Sequence, residues 1–73
     1  MTLYTDSKIK GAFRGWGRDM VFELANGQKW QQARYKYKYR YKYRPVARIW
    51  HDGSRFFLQV SNMEEMVQVR RVR

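Results

Sequence analysis

Apolar and polar residues alternate one by one along much of this chain. The clearest case is Tyr35-Lys36-Tyr37-Lys38-Tyr39-Arg40-Tyr41-Lys42-Tyr43-Arg44. Successive side chains on a strand point to opposite faces, so this run puts its tyrosines on one face and its cations on the other. Wound as a helix, the same residues would mix rings and charges around the whole cylinder and leave no apolar stripe. Tyr also favours strands. The pattern predicts one long strand over 35–44. Its Tyr row can floor a core or stand half-exposed as a platform for rings and bases.

The same period recurs in shorter pieces. Lys8 to Arg14 alternates with Ile9 and Phe13 on one face, and Gly11 between them marks a bend. Gly15-Trp16-Gly17-Arg18-Asp19 reads as a turn in which Trp16 folds over a core edge. Met20 to Leu24 turns Phe22 and Leu24 inward, and Asn26-Gly27 signals a hairpin. A two-residue loop would set Trp30 on the face of Glu23. A three-residue loop, Ala25-Asn26-Gly27 with Gly27 left-handed, sets Trp30 with Phe22 and Leu24. Burial of the Trp ring decides for the longer loop. A strand from Gln28 to Gln32 follows, with Lys29 and Gln31 outward.

Pro45 has no N–H to donate and ends the Tyr strand. Val46 to Trp50 and a strand reaching Val60 then flank a turn at His51–Ser54. An even loop centred on Asp52-Gly53 aligns Ile49 with Phe56 and Ala47 with Leu58. The outer face then carries Arg48, Trp50, Arg55 and Phe57, with Trp50 and Arg55 as a cation–π pair. Ser61-x-x-Glu64 has the form of a capping box, with room for one helical or 3-10 turn. Met66 to Arg73 is a last strand with Val67 and Val69 inward. Residues 1–7 show no period and read as a flexible N-terminal leader, which leaves 8–73 as a single domain. The expected fold is all-β: a small, strongly bent antiparallel barrel of five to six strands, of the SH3-like kind.

Phe13-x-Gly15-Trp16, then Val21-Phe22-x-Leu24-x-Asn26-Gly27-Gln28-x-Trp30-x-Gln32, the Tyr/basic run, Pro45 and the Ile49 strand resemble a group of small, uncharacterised bacterial proteins. Some of these are of the kind carried as gene cassettes on mobile elements. The resemblance spans most of residues 9–72, and its core motif is Phe-x-Leu-x-Asn-Gly-Gln-x-Trp-x-Gln. It implies an SH3-like barrel and no activity.

Size and charge sharpen the picture. A chain of 73 residues buries only about 60% of its unfolded surface, so thirteen aromatic side chains must carry much of the core. There is no Cys, hence no disulfide framework or thiolate metal site, and one His excludes a His-rich metal centre. No apolar run is long enough to span a membrane. A bacterial, cytoplasmic protein is expected. Sixteen Lys and Arg against six acids give a net charge of +10, which attracts polyanions: nucleic acid first, an anionic membrane surface second, acidic proteins third.

The cations Lys36, Lys38, Arg40, Lys42 and Arg44 repeat every ~6.6 Å along the strand. At that spacing neighbours repel by roughly 0.6 kcal/mol per pair in water. Thr or Gln would face solvent without that cost, so the row hints at an anionic partner. Those five residues are the expected phosphate contacts, with Tyr37, Tyr39 and Tyr41 as stacking rings. Nothing suggests base reading, so DNA or RNA binding would be largely independent of sequence. The Arg48, Trp50, Arg55 and Phe57 patch is a second surface. The alternative is a protein-interaction or self-assembly module, with an acidic partner or a second copy on a long edge strand. An enzyme is not expected, nor a cofactor. His51 sits beside Asp52 and Ser54 in a turn, and such neighbours in sequence do not make a nucleophile, base and orienter. No Gly-rich loop leads into a helix to cradle phosphate. Val67-Gln68-Val69-Arg70 matches only part of the Val-Gln-Ile-Tyr pore motif of the plasmid-borne dihydrofolate reductases.

Overall fold

Alternating runs broken by Gly, Pro and Asn are too short for stable helices and suit strands. The computed structural model, which describes all 73 residues, contains eight strands and no helix. They are β1 (Thr2–Lys8), β2 (Ala12–Trp16), β3 (Val21–Glu23), β4 (Lys29–Gln32), β5 (Lys38–Tyr43), β6 (Val46–Asp52), β7 (Arg55–Val60) and β8 (Val67–Arg71). Six form one antiparallel sheet in the order β1-β6-β7-β8-β4-β3, and β2 and β5 form a separate two-stranded ribbon. The edges of the large sheet approach each other where the chain leaves β1. There Ala25 N–H donates to Lys8 O (2.7 Å), Lys10 N–H donates to Glu23 O (2.8 Å), and Ile9 bridges Leu24. No ladder joins β1 to β3, so the sheet is not a closed barrel.

One cluster of thirteen buried apolar side chains forms the core, with Trp30, Phe13, Leu24, Ile49, Leu58 and Val60 fully enclosed. Burying each large side chain is worth about 1.5–3 kcal/mol. None of the cluster comes from β1 or β5. The β3–β4 hairpin has the expected three-residue loop. Gly27 sits at φ +93°, Leu24 N–H donates to Gln28 O (2.9 Å), and Phe22 lies opposite Trp30. Val67 and Val69 point inward as expected, and so does the Trp16 ring.

Other expectations are corrected. Residues 2–7, expected to belong to a flexible leader, pair along β6 and with Lys8 form β1. The strand expected over Lys8–Arg14 breaks at Gly11, at φ +83°, and Trp16 lies inside β2, the turn falling just beyond it. The β6–β7 loop is two residues, Gly53-Ser54, so Ile49 faces Leu58 and Ala47 faces Val60. That is a two-residue slip from the expected register, and it keeps every side chain on its face. No helical turn forms after β7: Asn62 is left-handed (φ +63°), and Met63 N–H reaches back to Val60 O (3.1 Å). The strand expected over 35–44 is regular only from Lys38 to Tyr43.

Candidate nucleic-acid interface

The ribbon's only side chains in the core come from β2. Phe13 and Trp16 drive into the core, where their rings meet edge-on at 5.3 Å and each lies under 6 Å from Phe22. β5 has no apolar residue to bury except tyrosine, so it hangs on β2 by backbone hydrogen bonds. Gly15 makes the contact possible. A Cβ built there would lie 1.9 Å from Lys38 O and 2.8 Å from Arg40 N, and its φ is +106°. Around it the register slips: Phe13 faces Lys42 while Gly15 faces Tyr39, so β5 carries one residue more than β2. The extra residue is a bulge, which bends and twists the ribbon.

Opposed residues in an antiparallel pair share a face. Lys42 lies across from Phe13 and Lys38 from Trp16. Tyr43 lies across from Ala12 and Tyr39 from Gly15, with the register shift between the two halves. Neither row is buried. Tyr35, Tyr37, Tyr39, Tyr41 and Tyr43 keep 53–71% of their surface exposed, so they do not floor the core. Lys38 and Arg40 are exposed and Lys42 is half-buried.

The structure divides the five expected cations. Lys36 lies before β5 and forms an ion pair with Glu65. That hydrogen bond, helped by the charges of Lys36 and Lys38, holds the Glu65 carboxyl below the usual carboxylate range. Lys36 is thus a staple to the segment between β7 and β8 and not a free phosphate contact. Arg44 has left the strand: at φ +50° it turns the chain toward Pro45, and its N–H donates to Gly11 O (2.8 Å). Lys38, Arg40, Lys42 and Arg44 have no acidic partner, whereas Lys10, Arg48 and Arg55 pair with Glu23, Asp6 and Asp52 at 3.4–3.6 Å.

Two cations that the sequence did not single out complete the surface. The Arg14 guanidinium sits 5.8 Å above the Tyr41 ring, and that of Arg18 sits 5.4 Å above Tyr35. Arg14 could have been found, since it alternates with Phe13; the Arg18 contact depends on the turn after β2.

The second surface is built differently from the expectation. Trp50 lies opposite Phe57 and Leu3, not beside Arg55, and its indole N–H donates to Gln59 Oε1 (2.8 Å). With Arg48 and Arg55 both paired to acids, this face is apolar in the middle and close to neutral at its rim. His51 lies within β6, one residue before its end and not in the turn, with Tyr4 and Phe56 rings about it.

No family model, curated protein or solved structure matches the chain.

Proposed function

We propose that this is a small basic module that binds nucleic acid largely without regard to sequence, with the β2–β5 ribbon as its contact surface. One observation carries the proposal: β5 gives no side chain to the core, yet it displays exposed rings and cations that no acid of the chain neutralises. Cations take phosphates and aromatic faces take bases, which is the pairing that sequence-tolerant binding needs. The coming together of the sheet edges at Ile9 and Leu24 also supports an open relative of the small SH3-like barrels as the fold. A cytoplasmic site of action fits, since a bacterial cell keeps its nucleic acid there. A protein-interaction role has one observation in its favour, the outward row Leu3, Trp50 and Phe57.

Four free cations neutralising about four phosphates should give log affinity against log salt a slope of about −3 to −4. Filter binding of a mixed-sequence oligonucleotide between about 50 and 200 mM salt measures it. The Lys38→Gln/Arg40→Gln variant should flatten the slope by roughly one to two. No binding at the low-salt end, or binding without a slope, ends the proposal.

A further inference from the structure

We infer that the ligand of this ribbon is single-stranded nucleic acid, whose unpaired bases stack between the tyrosines of β5; this rests on the nucleic-acid reading above. Three observations lead there. First, the rings at 39, 41 and 43 stand free of the core, with more than half of each ring's residue surface open. A paired base inside a duplex offers no face to such a ring. An unpaired base does.

Second, the repeat fits. Alternate residues of a strand are separated by ~6.6 Å, and bases in a stacked strand by ~3.4 Å. A column that alternates ring and base therefore repeats its rings every ~6.8 Å, within a few tenths of an ångström of the tyrosine repeat. One extended nucleotide strand can thus run along β5 with a ring between each pair of neighbouring bases. The bulge in β5 falls between Tyr39 and Lys42, within this run, so the regular spacing holds from Tyr41 to Tyr43 and is offset at Tyr39.

Third, the ring face has its own charges. Arg14 and Arg18 lie over the Tyr41 and Tyr35 rings and bring guanidinium groups to the ring face; a base entering on the Arg14 side of Tyr41 displaces that guanidinium toward the phosphates. The backbone of a bound strand can then meet cations without leaving the rings. Lys38 and Lys42 alternate with the rings along β5 and would contact phosphate whatever the strandedness. Stacking ignores the sugar, so RNA and DNA are equivalent ligands here.

Anisotropy titrations at low salt with labelled single strands of about 12 nucleotides, dU and rU, and a mixed duplex of the same length test this. Both single strands should bind about tenfold or more tightly than the duplex and within about threefold of each other. Tyr39→Ala/Tyr41→Ala should lose most of that preference, and a ring returned by Tyr39→Phe/Tyr41→Phe should restore it. The unaltered protein, irradiated with a bromouridine strand, should crosslink through Tyr39, Tyr41 or Tyr43, a readout that needs no variant to fold. Equal or tighter duplex binding, a strong preference for one sugar, or crosslinks confined to Trp50 and Phe57 would overturn the inference and leave general nucleic-acid binding standing. Failure of every nucleic acid to bind removes both.

Discussion

Gln32 is the one buried polar side chain of the molecule, and all of its hydrogen-bonding capacity is directed at backbone. Its Oε1 accepts from Gly17 N–H (3.0 Å), and its Nε2 donates to Arg34 O (2.8 Å) and Lys36 O (3.1 Å). One amide thus ties the turn after β2 to the segment that delivers the chain into β5. Gln28 does a similar job at the other end of β4, where its Oε1 accepts from Trp30 Nε1 (3.1 Å) and Thr5 Oγ1 (3.2 Å). Gln32→Leu should therefore cost about 1–3 kcal/mol, the usual penalty for stranding buried partners. Gln32→Glu should cost more near neutral pH, because an ionised carboxylate would face two carbonyl oxygens. Folding would then raise that carboxyl's pKa, so its penalty should shrink as pH falls and the group takes up a proton that it can donate. Urea midpoints of both variants at about pH 7 and about pH 4 check this. If the Glu variant is no worse than the Leu variant at the higher pH, Gln32 acts only by filling space. The sequence marked Gln28 and Gln32 as motif positions but gave them no task. Their partners lie as much as twenty-three residues away, beyond the reach of any local pattern.

The ribbon shows what periodicity can and cannot deliver at the scale of an element. Alternation over 35–44 was enough to read an extended segment with rings and cations on opposite sides. It could not say where the strand ends, because Lys36 is drawn off by Glu65 and Arg44 must turn ahead of Pro45. β1 escaped notice because it buries no apolar side chain: it is a strand through its backbone bonds to β6, and a side-chain pattern cannot register those. The β6–β7 loop was read with the right parity and the wrong length, since a pattern of period two looks the same after a slip of two. Gly15 is the residue that decides whether the ribbon exists. Gly15→Ala would meet both a left-handed φ, at a cost of about 1–3 kcal/mol, and a collision with the β5 backbone. Gly27→Ala meets a comparable φ with nothing within 4 Å of the new Cβ. The expected result is a clearly larger loss of stability for Gly15→Ala, accompanied by weaker nucleic-acid binding that Gly27→Ala does not share. Equal urea midpoints for the two variants would mean that β5 can shift off β2 at little cost.

Charge is the property that acts on the molecule as a whole. Only four of the sixteen Lys and Arg side chains find an acid, and all four pairs lie at the surface, where such pairs contribute about 0–1 kcal/mol each. The remaining cations crowd a body measuring 30 × 24 × 22 Å. Screening lengths of about 10 Å at 0.1 M salt and about 3 Å at 1 M span the distances over which they repel. Repulsion should therefore outweigh the ion pairs, and thermal unfolding followed by circular dichroism should show a midpoint that rises as sodium chloride is added. The complex must respond in the opposite sense, because salt competes with the protein for the phosphates. That opposition makes the salt titration of binding informative: affinity lost on adding salt cannot be blamed on a protein that is unfolding, since the same salt stabilises it. A midpoint that drops with added salt would reverse the balance, showing that the surface pairs, Lys36–Glu65 at the root of the ribbon among them, outweigh the repulsion among the free cations.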